Sequence, residues 1–180
     1  MDGQEKPYVN PAQAPSTAAT ELLLKTVADE DRRIMLPVNV IDIANQLGLK
    51  FTTLFLEEGV SGLLVKNEEN GPFNAVVDAS EHQHRMRFTL AHEIGHYIHK
   101  YQGDEWNGKI AGLVEHRDEL SSKGTDPEER WANKFAASLL MPAAIVARFW
   151  AEGLSVEEIA RQFNVSQSAL KFRLRNLGLR

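Results

Sequence analysis

Residues 87–99 constrain this chain more than any other stretch. Arg87-Phe88-Thr89-Leu90-Ala91-His92-Glu93-Ile94-Gly95-His96-Tyr97-Ile98-His99 runs without proline and repeats its apolar residues at Leu90, Ile94 and Ile98. That period is helical. On such a helix His92 and His96, four residues apart, stand one above the other on a single face, where both imidazoles can grip one metal ion. Glu93 follows the first histidine and is placed to take a proton from water at that metal rather than to bind the metal itself. The pattern is that of a zinc peptidase helix, and chance would supply it in about 2% of chains with these His and Glu frequencies. Gly95 is costly in a helix, so it marks close approach of a neighbouring backbone.

Two histidines leave a catalytic zinc one protein ligand short. A histidine six residues after His96 would complete an extended motif, but that position is Gln102. His99 lies one turn beyond His96, and three successive turns of a straight helix wrap a tetrahedral ion poorly. It is better suited to supporting a ligand or to the surface. Residues 126–142 offer an alternative. Asp126 can cap a helix, Pro127 suits its first turn, and Glu128 and Glu129 favour its N-terminus. Ala132, Phe135, Ala136, Leu139 and Leu140 form the buried stripe of that helix. Glu129 borders the stripe, as ligand or as surface carboxylate, whereas Glu128 is expected to point more to solvent.

R-F-T-L-A-H-E-I-G-H at 87–96, with E-R-W-A-N-K-F-A-A-S-L-L-M-P at 129–142, resembles the ImmA/IrrE family of metallopeptidases. The resemblance covers most of residues 36–142. It implies a zinc-peptidase-like fold in which His92, His96 and Glu129 bind Zn2+ and Glu93 is the general base. Trp131 departs from the pattern, since family members often carry an acid there; Glu129 is then expected to be the only carboxylate on that face. Known members cleave helix-turn-helix repressors or act as toxin-like partners of such regulators. The resemblance therefore implies a zinc-dependent endopeptidase acting on a helix-turn-helix repressor or antitoxin-type regulator. A non-proteolytic toxin or scaffold that binds its regulator or DNA is the other reading, because a fold does not establish an activity.

Composition narrows the classes without choosing among them. With 180 residues, 43% of them hydrophobic, the chain can bury one good core. No cysteine is present, so metal ligands must be histidine or carboxylate. Apolar runs are too short to span a bilayer and the N-terminus lacks a signal-peptide plan, so a cytoplasmic protein without membrane association is expected. A net charge of -5 argues against a general nucleic-acid binder.

The expected architecture is α+β: a flexible leader over 1–19, a zincin-like metallopeptidase domain over 20–142, and a helix-turn-helix-like tail over 143–180. Residues 20–33 and 37–48 read as helices. Runs at 49–56, 62–66 and 74–78 read as strands of a small antiparallel sheet, whose edge could take an extended peptide. Between the two site helices, residues 103–125 contain one plausible strand, 110–114, and the ionisable cluster Glu115, His116, Arg117, Asp118 and Glu119. That cluster could line a cleft or supply a ligand in place of Glu129. Tyr97, Tyr101 and His116 are candidates to stabilise an oxyanion. In the tail, Ser155 and Glu158 form a capping box, Asn164-Val165 a turn, and Ser166 a second cap. Arg161, Lys171, Arg173, Arg175 and Arg180 make its second half basic, so residues 155–180 could contact DNA or pack on the peptidase domain.

Overall fold

The computed structural model describes residues 6–68, 71–102, 126–179 and the backbone of 113–116. Helix α1 (Pro15–Thr26) opens with proline in its first turn and buries Ala18, Ala19, Leu22 and Leu23. It starts five residues earlier and stops earlier than the sequence suggests. Past Thr26 the chain turns on its own polar groups: Arg32 N–H donates to Asp29 O and Arg33 N–H to the Asp29 carboxylate, and Arg32 adopts a positive φ. The segment before α1 packs against the rest of the chain. Val9 is buried and donates to Gln102 Oε1 at 3.0 Å, while Trp131 Nε1 donates to Gln13 O at 3.1 Å. Helix α2 (Val40–Gln46) is capped by Asn39, whose side chain accepts from Asp42 N–H.

A four-stranded sheet follows, ordered β1 (Lys50–Leu54), β3 (Asn74–Asp78), β2 (Gly62–Lys66), β4 (Leu113–His116). β2 is antiparallel to β3 and to β4, but β1 runs parallel to β3, so the sheet is mixed rather than wholly antiparallel. The α+β class stands. β3 buries Ala75, Val76 and Val77 in succession, as a central strand covered on both faces does. β1 is largely exposed at one edge; β4, at the other, pairs His116 with Leu63 and Val114 with Val65. Residues 110–112 of the expected strand lie outside the described residues.

Helix α3 (Gln83–His96) packs on β2 and β3 and continues as a π-helical turn (Tyr97–Tyr101). Helix α4 (Pro127–Leu140) packs against both α3 and α1. Asp126 caps it as expected, accepting from Glu128 N–H at 2.9 Å. Two glycines set the spacing around α3. A Cβ at Gly95 would lie 3.1 Å from Phe135 Cδ1 and 3.3 Å from Ala132 Cα, so the glycine lets α3 and α4 meet. A Cβ at Gly62 would lie within 2.4 Å of Thr89 Cγ2, so here the sheet presses on α3.

Helices α5 (Ala143–Ala151), α6 (Val156–Phe163) and α7 (Gln167–Asn176) form the tail. The capping box at Ser155 and Glu158, the left-handed turn at Asn164 and the Ser166 cap all occur as the sequence suggests. Ile159, Phe163, Leu170 and Leu174 belong to the same buried cluster as Leu139, Leu140 and Met141, so these helices share the core of the preceding domain. Arg173 is buried, and its Nε–H donates at 3.1 Å to Met141 O at the C-terminus of α4. Arg161 pairs with Glu157, leaving Lys171 and Arg175 as the exposed cations of α7; Arg180 lies outside the described residues. Among the described residues no single helix is long and apolar enough to cross a membrane.

Candidate metal centre

The close approach of α3 and α4 brings His92 and His96, both buried, against Glu129 of the first turn of α4. One potential ligand atom from each residue lies within 4.8 Å of the others, the one such group of three among the described residues. His92 Nε2 and His96 Nε2 stand 2.7 Å apart. Glu129 reaches both: Oε1 is 3.0 Å from His96 Nε2 and Oε2 is 3.5 Å from His92 Nε2.

The outer ring nitrogens decide what the inner ones can do. His92 Nδ1 lies 3.0 Å from Asn133 Oδ1, and His96 Nδ1 lies 3.3 Å from Glu128 Oε1. Both partners accept, so an imidazole that is neutral and carries its proton on Nδ1 turns an Nε2 lone pair inward. In that neutral form two lone pairs and a carboxylate converge on one point. Such a set suits a cation, and neutral imidazoles with one carboxylate suit a divalent metal of the zinc type. The field of the site agrees. Burial alone would depress the His96 imidazolium, but hydrogen bonds to Glu128 and Glu129 and the charges of Glu93 and Glu129 raise its pKa to about 10. The His96 hydrogen bond, aided by Lys100 2.7 Å away, holds Glu128 down at about 2 despite its partial burial. In the absence of a metal, a proton on His96 fills the same electrostatic role.

Glu93 lies beside the start of β2 and within electrostatic reach of His96. It is buried, and its Oε1 lies 3.2 Å from where a Cβ on Gly62 would sit. The start of β2 therefore forms one wall beside the carboxylate. Nothing in the sequence pattern singled out Gly62, although a glycine opening a strand is a sign of close backbone approach.

Other expected site residues go elsewhere. The π-helical turn carries His99 onto Trp131, with ring centroids 4.6 Å apart, and outside the ligand group. Tyr97 and Tyr101 pack on Phe73, at 5.5 and 4.9 Å between centroids. There, with Lys66, Pro72 and Gly48, they line a cavity of about 220 Å³. Both candidates for an oxyanion thus pack on Phe73, and burial pushes the Tyr97 phenol upward. His116 ends β4 opposite Leu63, one residue from Gly62. The side chains of Glu115 and His116, and all of residues 117–119, lie outside the described residues. Glu128 is the more exposed of the two glutamates, as expected, but it also bonds the outer nitrogen of His96, so the expectation that Glu129 is the only carboxylate on this face is corrected. Trp131 occupies the departing position by stacking on Phe135, ring centroids 5.3 Å apart. Asn133, four residues after Glu129 and hence on its face of α4, was also legible only in hindsight.

Comparison with known proteins agrees with this geometry. A peptidase family model described as the IrrE N-terminal-like domain matches residues 56–175, two thirds of the chain, and spans α3, α4, α5, α6 and all but the last residue of α7. No curated protein matches the chain.

Proposed function

The chain belongs to the IrrE N-terminal-like family of peptidases, and on that premise we propose that it is a zinc-dependent endopeptidase whose substrate is a protein, a helix-turn-helix repressor or antitoxin-type regulator. The observation that carries this reading is the convergence of His92, His96 and Glu129 beside a buried Glu93. His92 Nε2, His96 Nε2 and a Glu129 oxygen would hold the ion. When bound, zinc supplies Lewis acidity, which acidifies water and polarises a peptide carbonyl.

The chain's own residues do the rest. Glu93 accepts a proton from the attacking water and passes it to the leaving amine, as general base and then general acid. Its burial serves both steps, since a carboxylate away from bulk water keeps that proton in place. Asn133 and Glu128 hold the two imidazoles by their outer nitrogens, which fixes the direction of the inner lone pairs. Sheet register supports an extended substrate. Edge strand β4 pairs with β2, whose first residue Gly62 packs on α3 beside Glu93, so a peptide added along this edge would run close to the general base. Assignment of the substrate to a helix-turn-helix regulator rests on the family resemblance.

Incubation of the purified protein with zinc and such a regulator, against Glu93→Gln, tests the proposal. Cleavage by the wild type and its loss in a zinc-replete Glu93→Gln variant is the expected outcome. Bound zinc with an intact regulator in both would instead favour the scaffold reading.

A further inference from the structure

His96 is gripped from both sides by neighbouring residues of one helix turn. Its Nε2 faces Glu129 Oε1 at 3.0 Å and its Nδ1 faces Glu128 Oε1 at 3.3 Å. Glu128 in turn lies 2.7 Å from Lys100 Nζ, a residue of the π-helical turn that continues α3. Exposure rises steadily outward, with side chains 4% exposed at His96, 26% at Glu128 and 34% at Lys100. A glutamate at the start of a helix is ordinarily explained by the helix dipole alone. The dipole does not explain why this carboxylate reaches back to the far nitrogen of a buried imidazole on another helix.

We propose that Glu128, held in place by Lys100, is the positioning residue for the metal ligand His96, and that this pairing leaves Glu129 as the one of the two adjacent glutamates that faces the metal. Three contacts support the assignment. Accepting the Nδ1 proton fixes the His96 tautomer and orients the ring. An ionised acceptor makes that hydrogen bond roughly twice as strong as a neutral one, so His96 is a more basic ligand than His92, whose partner is the Asn133 amide. Lys100 neutralises the carboxylate at Oε1, the same oxygen that faces His96, and holds it there, so that Glu128 does not compete with Glu129 for the ion. α4 thereby supplies one ligand and the orienting partners of both others.

The inference rests on the metal-site reading above, and the test separates the two. Zinc affinity of the full chain is measured by competition with a chromogenic chelator for wild type, Glu128→Ala, Glu128→Gln and Lys100→Met, with melting of the metal-free forms as a fold control. The visible spectrum of the cobalt-substituted forms reports ligand geometry. Glu128→Ala is expected to lose about 10- to 100-fold in zinc affinity and to shift the cobalt bands. Glu128→Gln keeps an acceptor and is expected to stay much closer to wild type, with unshifted bands. Lys100→Met is expected to lose about two- to fivefold, the scale of a part-exposed ion pair. Failure of the wild type to bind zinc would overturn the metal site itself, and the inference with it. Zinc bound by the wild type but within twofold as well by Glu128→Ala would overturn the positioning role alone. So would a Glu128→Gln variant as weak as Glu128→Ala.

Discussion

The α3–α4 centre and the C-terminal helices both bury polar side chains, yet they use them in opposite ways. In the centre, His92, His96 and Glu129 point at one another, and each histidine is backed by an acceptor that leaves a lone pair facing inward. In the tail, buried Arg173 points at the last turn of α4, where its Nε–H meets the Met141 carbonyl. That donor and acceptor satisfy each other, and the result is a joint between helices. Buried polarity therefore marks chemistry where like groups converge, and architecture where opposite groups pair.

Substitutions can break this contrast, and the largest effect is expected at Glu93. Glu93→Gln should lower the turnover of a cleaved substrate by about 10²- to 10⁴-fold, the usual contribution of a general base. Bound zinc should be unchanged, because Glu93 is not a ligand. Turnover assays paired with metal analysis check both halves. Gly62→Ala comes next. Its Cβ would meet the β-branched Thr89 on a helix, which cannot swing aside, so overpacking should cost about 1–3 kcal/mol in denaturant melts. Activity should fall as well, since Glu93 Oε1 lies beside the same point.

The tail should answer to stability alone. Arg173→Ala removes a buried donor to the α4 terminus and should destabilise by about 1–3 kcal/mol. Lys171→Ala and Arg175→Ala, on the exposed face of α7, should stay within about 0.5 kcal/mol of wild type. Equal losses at all three positions would erase the distinction drawn between the buried and exposed cations.

Acidity gives the most characteristic effect. The pKa of His96 is raised in the folded metal-free protein, so its stabilising contribution is complete below about 6.5 and is lost as pH rises toward about 10. Glu128, depressed to about 2, contributes fully above its ordinary range and loses that contribution as pH falls toward 2. Because zinc must displace the His96 proton, the rise in melting temperature on adding zinc should grow between pH 6 and pH 9. Thermal melts with and without zinc at several pH values measure it. A shift constant across that range would break the link between His96 and the metal.

Much of this site was readable from spacing, because it is built from helix-periodic neighbours. His92 and His96 share a face by their interval of four, Gly95 announces a close helix contact, and Asp126-Pro127 starts α4 where expected. The tail was legible for the same reason, its caps and left-handed turn being local chemistry. What escaped depends on residues distant in sequence. The parallel pairing of β1 with β3 is decided by where β2 inserts, which no strand encodes in itself. Residues 6–14 look unable to order themselves, and they pack on Gln102 and Trp131. The bond between Glu128 and His96 escaped because the two residues lie 32 positions apart.

The central claim is that one divalent ion sits between α3 and α4 on three named side chains. A zinc-edge anomalous difference map of crystals grown with zinc tests it directly. A single strong peak is expected within about 2.0–2.2 Å of His92 Nε2, His96 Nε2 and a Glu129 oxygen. A peak on Glu128 instead, or none at all between the two helices, would contradict it.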